Sequence, residues 1–433
     1  MIFWRRIPVS RGCRMEIIMR KSVGIIGGGA AGMMAAITAA RQGAHVTVLE
    51  RGERVGRKLL STGNGRCNLG NMVLDAGQYY GSSREWLENA LKRFDTEDTI
   101  QFFQGLGLLI KNKNGYLYPA CEQASVVLDV LRIELKTLGV QIINNVKVNH
   151  ISKEEAAGQI LINAGDESYL FDSVVLACGG KAAPKTGSDG SGYKLAKQLG
   201  HRLIPTVPAL VQLKCREEYL KAVAGVRADA EISVFSQGKC VARQRGELQL
   251  TDYGISGIVV FQISRIVNYI LREQEETEVI INLLPDYTRE SFEQLCTIRS
   301  LLKEGRSIEE FFTGMLNKKL MQLFVKMAGL KPDMSVEEVD EGQLRQVYEL
   351  CREWKLHALG SNSYENAQVC AGGVDTGDIT ENMESKKVSG IYFAGEVMDV
   401  DGKCGGYNLQ WAWSSGYLAG MAASGYPVAE EKV

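Results

Sequence analysis

Residues 21–26 read as a short strand that runs directly into Gly27-Gly28-Gly29-Ala30-Ala31-Gly32, and residues 33–42 then form a small-residue helical run. No other feature constrains the fold so tightly. The spacing is G-x-G-x-x-G in a strand, turn and helix setting: the first glycine permits the tight turn, the second lets backbone approach a pyrophosphate, and the third lets helix pack on strand. Phosphates then sit at the helix N-terminus, where free N–H groups and the helix dipole favour anions. Residues 45–49 read as a second strand ending in Glu50, an acid placed to accept hydrogen bonds from adenosine ribose hydroxyls and to disfavour a 2'-phosphate. Arg51 follows it directly. The pattern predicts a Rossmann-like α/β domain that binds a dinucleotide.

The next segment bears on which dinucleotide. Arg54-Val55-Gly56-Arg57-Lys58 and Ser61-Thr62-Gly63-Asn64-Gly65-Arg66-Cys67-Asn68 are too rich in Gly, Arg and small polar residues for a core element. Such a loop suits a long phosphate-bearing cofactor such as FAD, with backbone N–H groups and guanidinium forks gripping oxygens. The chain's 47 glycines against 8 prolines fit this, because they gather in residues 24–32, 52–70, 179–192, 372–377 and 390–420 and thin out across 201–355.

Composition removes several classes. With 45% hydrophobic and 23% charged residues the chain is globular rather than disordered. Fifty basic and 51 acidic residues nearly cancel, so no overall field recruits nucleic acid or an anionic membrane. No apolar run is long enough for a membrane span. The ten cysteines contain no C-x-x-C pair and the four histidines (45, 150, 201, 357) lack metal-ligand spacing, which points away from metal, from a redox dithiol and from a disulfide scaffold, and toward a reducing cytoplasm. Residues 1–20, with five arginines and a broken apolar pattern, read as a weakly ordered extension or an overlong start, Met15 and Met19 being alternative starts.

The fingerprint, Glu50 and the run from Gly56-Arg57-Lys58 to Gly65-Arg66-Cys67-Asn68 resemble a family of bacterial FAD-dependent oxidoreductases that includes aminoacetone-oxidase-like flavoproteins and 3-dehydro-bile acid reductases. Further matches are Val174-Val175-Leu176-Ala177-Cys178-Gly179-Gly180, with Cys where Thr is commoner, and Gly187-Ser188-Asp189-Gly190-Ser191-Gly192-Tyr193. Gly254-Ile255-Ser256-Gly257 resembles the mid-chain motif, although the preceding Thr251-Asp252 departs from the more usual Thr-His. C-terminally the matches are Met383-Glu384-Ser385-Lys386, Gly390-Ile391-Tyr392-Phe393-Ala394-Gly395-Glu396, Asp399-Val400-Asp401-Gly402 and Gly405-Gly406-Tyr407-Asn408-Leu409-Gln410-Trp411-Ala412. The resemblance implies cofactor contacts from Gly27 to Gly32, Glu50 and Arg51; from Gly56, Arg57, Lys58, Ser61, Gly63, Gly65, Arg66, Cys67 and Asn68; from Val148, through its backbone to adenine; from Ala177, Gly179 and Gly180; and from Gly395, Glu396, Gly406, Tyr407, Asn408 and Gln410. A helix over 408–422 would aim its N-terminus at the flavin's pyrimidine edge and stabilise negative charge there.

Residues 21–200 and 356–433 are thus expected to form one discontinuous FAD-binding domain. Between them, 201–285 carries period-two strands, entered at Pro205 and Pro208, and 286–355 carries apolar residues at helical spacing. The expected architecture is a β-barrel-like insert with a helical flap closing over the flavin. With a single fingerprint, NAD(P)H would visit only transiently as electron donor. Three functions are consistent with this reading. The resemblance implies either a reductase of carbon–carbon double bonds conjugated to the 3-oxo group of steroid-like substrates, with Tyr407 as candidate proton donor, or an amine oxidase of aminoacetone type using O2. The third is a flavin-holding protein with an RNA or protein partner. Cys67, Cys404, Trp411 and Trp413 read as packing residues.

Overall fold

The structure, a computed structural model, describes residues 20–154 and 158–426. The extension expected over residues 1–20 lies, but for Arg20, outside the described residues. The Rossmann-like domain is built on a five-stranded parallel sheet in the spatial order Ile391–Phe393, Ser173–Leu176, Ser22–Ile26, His45–Leu49, Gln141–Ile143. Its central strand is buried over Val23–Ile26, as expected where both faces of a parallel sheet are covered. The register sets Ile26 beside Leu49 and Leu176, so three strands end together beneath the fingerprint turn.

Helix Ala30–Arg41 covers one face, and the C-terminal helix Tyr407–Ala423 packs on it. A Cβ at Gly416 would lie 2.5 Å from the Ala31 carbonyl oxygen, and one at Gly420 2.5 Å from that of Ala35, so these two glycines let the helices approach closely. The C-terminal helix is buried on nearly all sides, Trp411 and Trp413 included, which explains why its sequence has no amphipathic stripe.

The chain leaves this domain through Leu203–Ala209 and returns through the antiparallel partner Val369–Val374. The register of that pair slips between Ile204 and Val207, around Pro205, whose missing N–H suits an irregularity. Between them lies a closed antiparallel barrel of six strands in the order Leu213–Cys215, Gly254–Ser256, Lys239–Leu250, Arg227–Ser236, Thr277–Asn282, Trp354–Ser361. Inward residues alternate, as Ile232 and Val234 do. The helices Arg289–Ser300, Ile308–Phe312, Lys318–Met327 and Glu341–Arg352 pack beside the barrel.

Two features differ from the sequence reading. The barrel closes with Trp354–Ser361, which pairs with both Thr277–Asn282 and Leu213–Cys215, so the insert continues past residue 355. Within the β-rich stretch lies a 15-residue helix, Ile258–Arg272, whose Val259, Val260, Ile263 and Val267 join the barrel core. Its β-branched content masks the three- and four-residue spacing of those positions.

Candidate active site

A cleft runs along the ends of the parallel strands, with about 1320 Å³ of empty space counting its open mouth. The fingerprint forms one wall. Gly27 has φ +103°, and a Cβ there would meet the Ala177 carbonyl oxygen at 2.6 Å. At Gly32 a Cβ would lie 1.9 Å from the Gly27 oxygen, the close helix-to-strand contact expected of the third glycine. A Cβ at Gly29 would meet no protein atom within 4 Å, and Gly29 is the N-cap of helix Ala30–Arg41 with no side-chain cap. The first turn therefore offers uncapped N–H groups to the cleft, room and polarity that suit a pyrophosphate.

Glu50 is fixed by the two backbone N–H groups it accepts, Gly28 at 2.7 Å and Gly52 at 2.6 Å, and it faces the cleft where an adenosine ribose would lie. Val148 lines the same end, as do Ala177 and Gly179. Arg51 pairs with Asp189 and donates to the Gly187 carbonyl at 3.1 Å, while Arg57 donates to the Lys185 carbonyl at 2.8 Å. These bonds tie the loop after the second strand to the 184–189 turn. Arg51, Arg54, Arg57, Lys58 and Lys147 outnumber the lining acids Glu50 and Glu396, a balance suited to a diphosphate.

At the other end Glu396 accepts from Lys58 Nζ at 2.6 Å and from the Cys370 N–H at 2.7 Å, with Gly395 beside it in the cleft wall. Asn408 lines the cleft while its amide closes the turn before the C-terminal helix, accepting from Gly402 N–H at 2.8 Å and donating to Gly402 O at 2.7 Å. The helix N-cap is Gly406 with φ +94°, and a Cβ there would lie 2.5 Å from Gly70 O. Uncapped fingerprint, anchored acids and an excess of cations together fit an FAD lying from Glu50 to the 402–408 turn.

Several expected contacts sit behind the wall. Gln410 is fully buried, accepting from Thr99 Oγ1 at 3.1 Å and donating to Asp95 O at 3.1 Å, so it braces the helix instead of touching the cleft. Tyr407 is 7% exposed, with its ring edge-on to Tyr79 at 5.6 Å, and it does not line the cleft, which leaves it poorly placed as proton donor. Of the loop beyond Lys58, Ser61, Gly63, Gly65, Arg66, Cys67 and Asn68 shape the turn and do not line the cleft: Ser61 Oγ bonds Lys58 O at 2.8 Å, Arg66 stacks on Tyr118, and Asn68, with its amide turned to donate to Gly70 O, accepts the Gly406 N–H at 3.2 Å. Gly180 packs on Cys370 and Tyr193. Arg54 and Thr62, within the Gly- and Arg-rich loop, and Lys147, next to Val148, line the cleft although the sequence did not single them out, and the Gln368-Val369 pair lines it without any sequence signal. Asp252, at the departure from Thr-His, is exposed, and the neighbouring Thr251 hydroxyl is buried without a partner.

Residues 21–422 match the family described as HI0933-like protein Rossmann domain, and the chain belongs to that family of FAD-binding oxidoreductases. Three relatives carry two different activities in their names. The chain is 43% identical over 408 residues to the 3-dehydro-bile acid delta(4,6)-reductase of Clostridium scindens, covering 94% of this chain and 99% of the relative. Two ribosomal RNA dihydrouridine synthases are more distant. That of Haemophilus influenzae is 31% identical over 407 residues, covering 92% and 98% of the two chains, and that of Escherichia coli is 32% identical over 398 residues, covering 91% and 95%. No helix among the described residues is long and apolar enough to cross a membrane.

Proposed function

We propose that the protein is an NAD(P)H-linked, FAD-dependent reductase of a carbon–carbon double bond conjugated to the 3-oxo group of a steroid-like substrate. The observation that carries this reading is the 43% identity to the bile acid reductase, which spans 94% of this chain and 99% of the relative. Glu50 would hold the adenosine ribose, the N-terminus of helix Ala30–Arg41 the pyrophosphate, and Glu396 the hydroxylated linker toward the ring. The N-terminus of helix Tyr407–Ala423 would favour negative charge at the ring's pyrimidine edge. When bound, FAD supplies the hydride. The chain's own part is to place the substrate's β-carbon, exclude water beneath the insert and provide a path for the proton that the α-carbon takes up. Substrate would enter between the insert and the cofactor domain, the usual position of a ligand cleft.

The two dihydrouridine synthases favour a second reading in which the same chemistry acts on a uracil ring, whose reducible double bond is also conjugated to a carbonyl. Anaerobic mixing separates the two. Reduced protein challenged with a 3-oxo-4-ene steroid should regain its oxidised flavin absorbance, whereas an unmodified ribosomal RNA transcript should leave it bleached. Reoxidation by RNA alone would transfer the assignment to the second reading. Silence toward both, with bleaching of the oxidised protein by aminoacetone, would instead establish an amine oxidase.

A further inference from the structure

Helix Ile258–Arg272 of the insert reaches the cofactor domain through two polar side chains one turn apart. Gln262 accepts the Cys404 N–H at 3.2 Å, and Arg265 Nε donates to Asp401 Oδ1 at 3.0 Å. The ion pair is sequestered, with side chains 18% and 3% exposed. The Arg265 guanidinium also lies 4.4 Å from the ring centre of Tyr80 and 4.9 Å from that of Tyr269, and Tyr269 is itself anchored to Pro205 O at 2.9 Å. Two aromatic faces and one carboxylate therefore fix a single cation.

A second carboxyl group lies nearby. Asp399, two residues before Asp401, is buried; one of its oxygens accepts Ser82 Oγ at 2.6 Å and the other, Oδ1, has no hydrogen-bond partner. Two buried carboxyl groups thus lie near one guanidinium, Asp401 in direct contact with it and Asp399 acting on it from further away. Both sit in the cleft wall's own backbone: Val400, between them, lines the cleft, and Gly402, after Asp401, is the residue clamped by the cleft-lining Asn408.

We infer that Arg265 is a positioning residue, a cation carried by the insert that holds segment 399–408 against the cofactor edge and sets the charge beside it. Docking of the insert and the electrostatics of the cofactor edge are then one event. This rests on the proposed placement of the flavin ring at the 402–408 turn. Buried charge acts strongly across a short, poorly solvated distance, and removing one partner of a buried pair leaves the other uncompensated.

The test uses holoenzyme and the midpoint potential of its FAD, a readout that needs no substrate. Arg265→Met should move the potential to more negative values and lower kcat/KM for the enone at least tenfold, mainly through kcat. Arg265→Lys, which keeps the charge, should retain most of both. Asp401→Asn, which removes a negative charge, should move the potential the opposite way at about pH 8, and the Arg265→Met/Asp401→Asn pair should return it toward wild type. Wild-type potentials in Arg265→Met and Asp401→Asn would overturn the inference. If Arg265→Met does not fold, Asp401→Asn and Arg265→Lys decide, an unmoved potential in Asp401→Asn being sufficient to reject it. Failure of the wild-type enzyme to reduce the enone would refute the substrate reading and leave the potential shifts standing.

Discussion

At Gly29 the protein is empty where a side chain would go, and that emptiness separates folding from function. A Cβ there meets nothing within 4 Å and the backbone is extended, at φ −78° and ψ −169°, so a larger residue costs the fold little. Gly29→Val should therefore melt close to the wild-type apoprotein yet purify colourless, because its methyls fill the pyrophosphate space; a fully yellow variant would place the cofactor elsewhere. The cysteines make a second residue-scale case. Burial pushes the Cys67 thiol up to about 12, whereas Cys121 and Cys240 are exposed. Among the described cysteines a thiol reagent should modify Cys121 and Cys240 rapidly and Cys67 only on unfolding, as peptide mapping would show. The fingerprint glycines and Glu50 were legible in sequence because their roles are backbone roles fixed by local spacing. Gln410 was not, because its partners Thr99 and Asp95 lie more than 300 residues away and reverse its direction.

At the scale of elements, the approach of helices Ala30–Arg41 and Tyr407–Ala423 depends on Gly416 and Gly420. A β-branched side chain at Gly420 would drive into the Ala35 carbonyl, which cannot retreat from its own helix. Gly420→Val should cost about 1–3 kcal/mol, read as a lower denaturant midpoint at unchanged slope. Gly105→Ala is the matched control. Its Cβ meets nothing within 4 Å, and it should be neutral or stabilising by about 0.4–1 kcal/mol. A Gly420→Val variant as stable as Gly105→Ala would mean that close packing does not govern the pair. The same reasoning explains which elements were readable. Strands with clean alternation, such as Thr277–Asn282, and helices with open amphipathic faces, such as Lys318–Met327, declare themselves. Helix Ile258–Arg272 does not, since four isoleucines and three valines in fifteen residues suit a strand until the barrel supplies a core for one side of a helix.

For the whole molecule, the sequence pointed to segments that line the cleft but not to the joint between the parts, because Arg265 and Asp401 acquire their relation only when the insert folds back over the cofactor domain. That joint should govern how stability responds to pH. Burial pushes the Asp401 carboxyl up to about 7 against the pull of Arg265, with Asp399 and Glu396 adding to the rise. In the unfolded chain an aspartate releases its proton near pH 4. Between these values the native state holds a proton that the unfolded state has lost, so its stability falls as pH rises from about 4 to about 7 and levels off above. In Asp401→Asn that contribution is absent. The difference in melting temperature between Asp401→Asn and wild-type holoprotein should therefore shift in favour of Asp401→Asn as pH is raised across the interval, and should stay constant above about pH 8. A difference that does not change with pH would mean that Asp401 is ionised throughout, with Arg265 fully offsetting its burial.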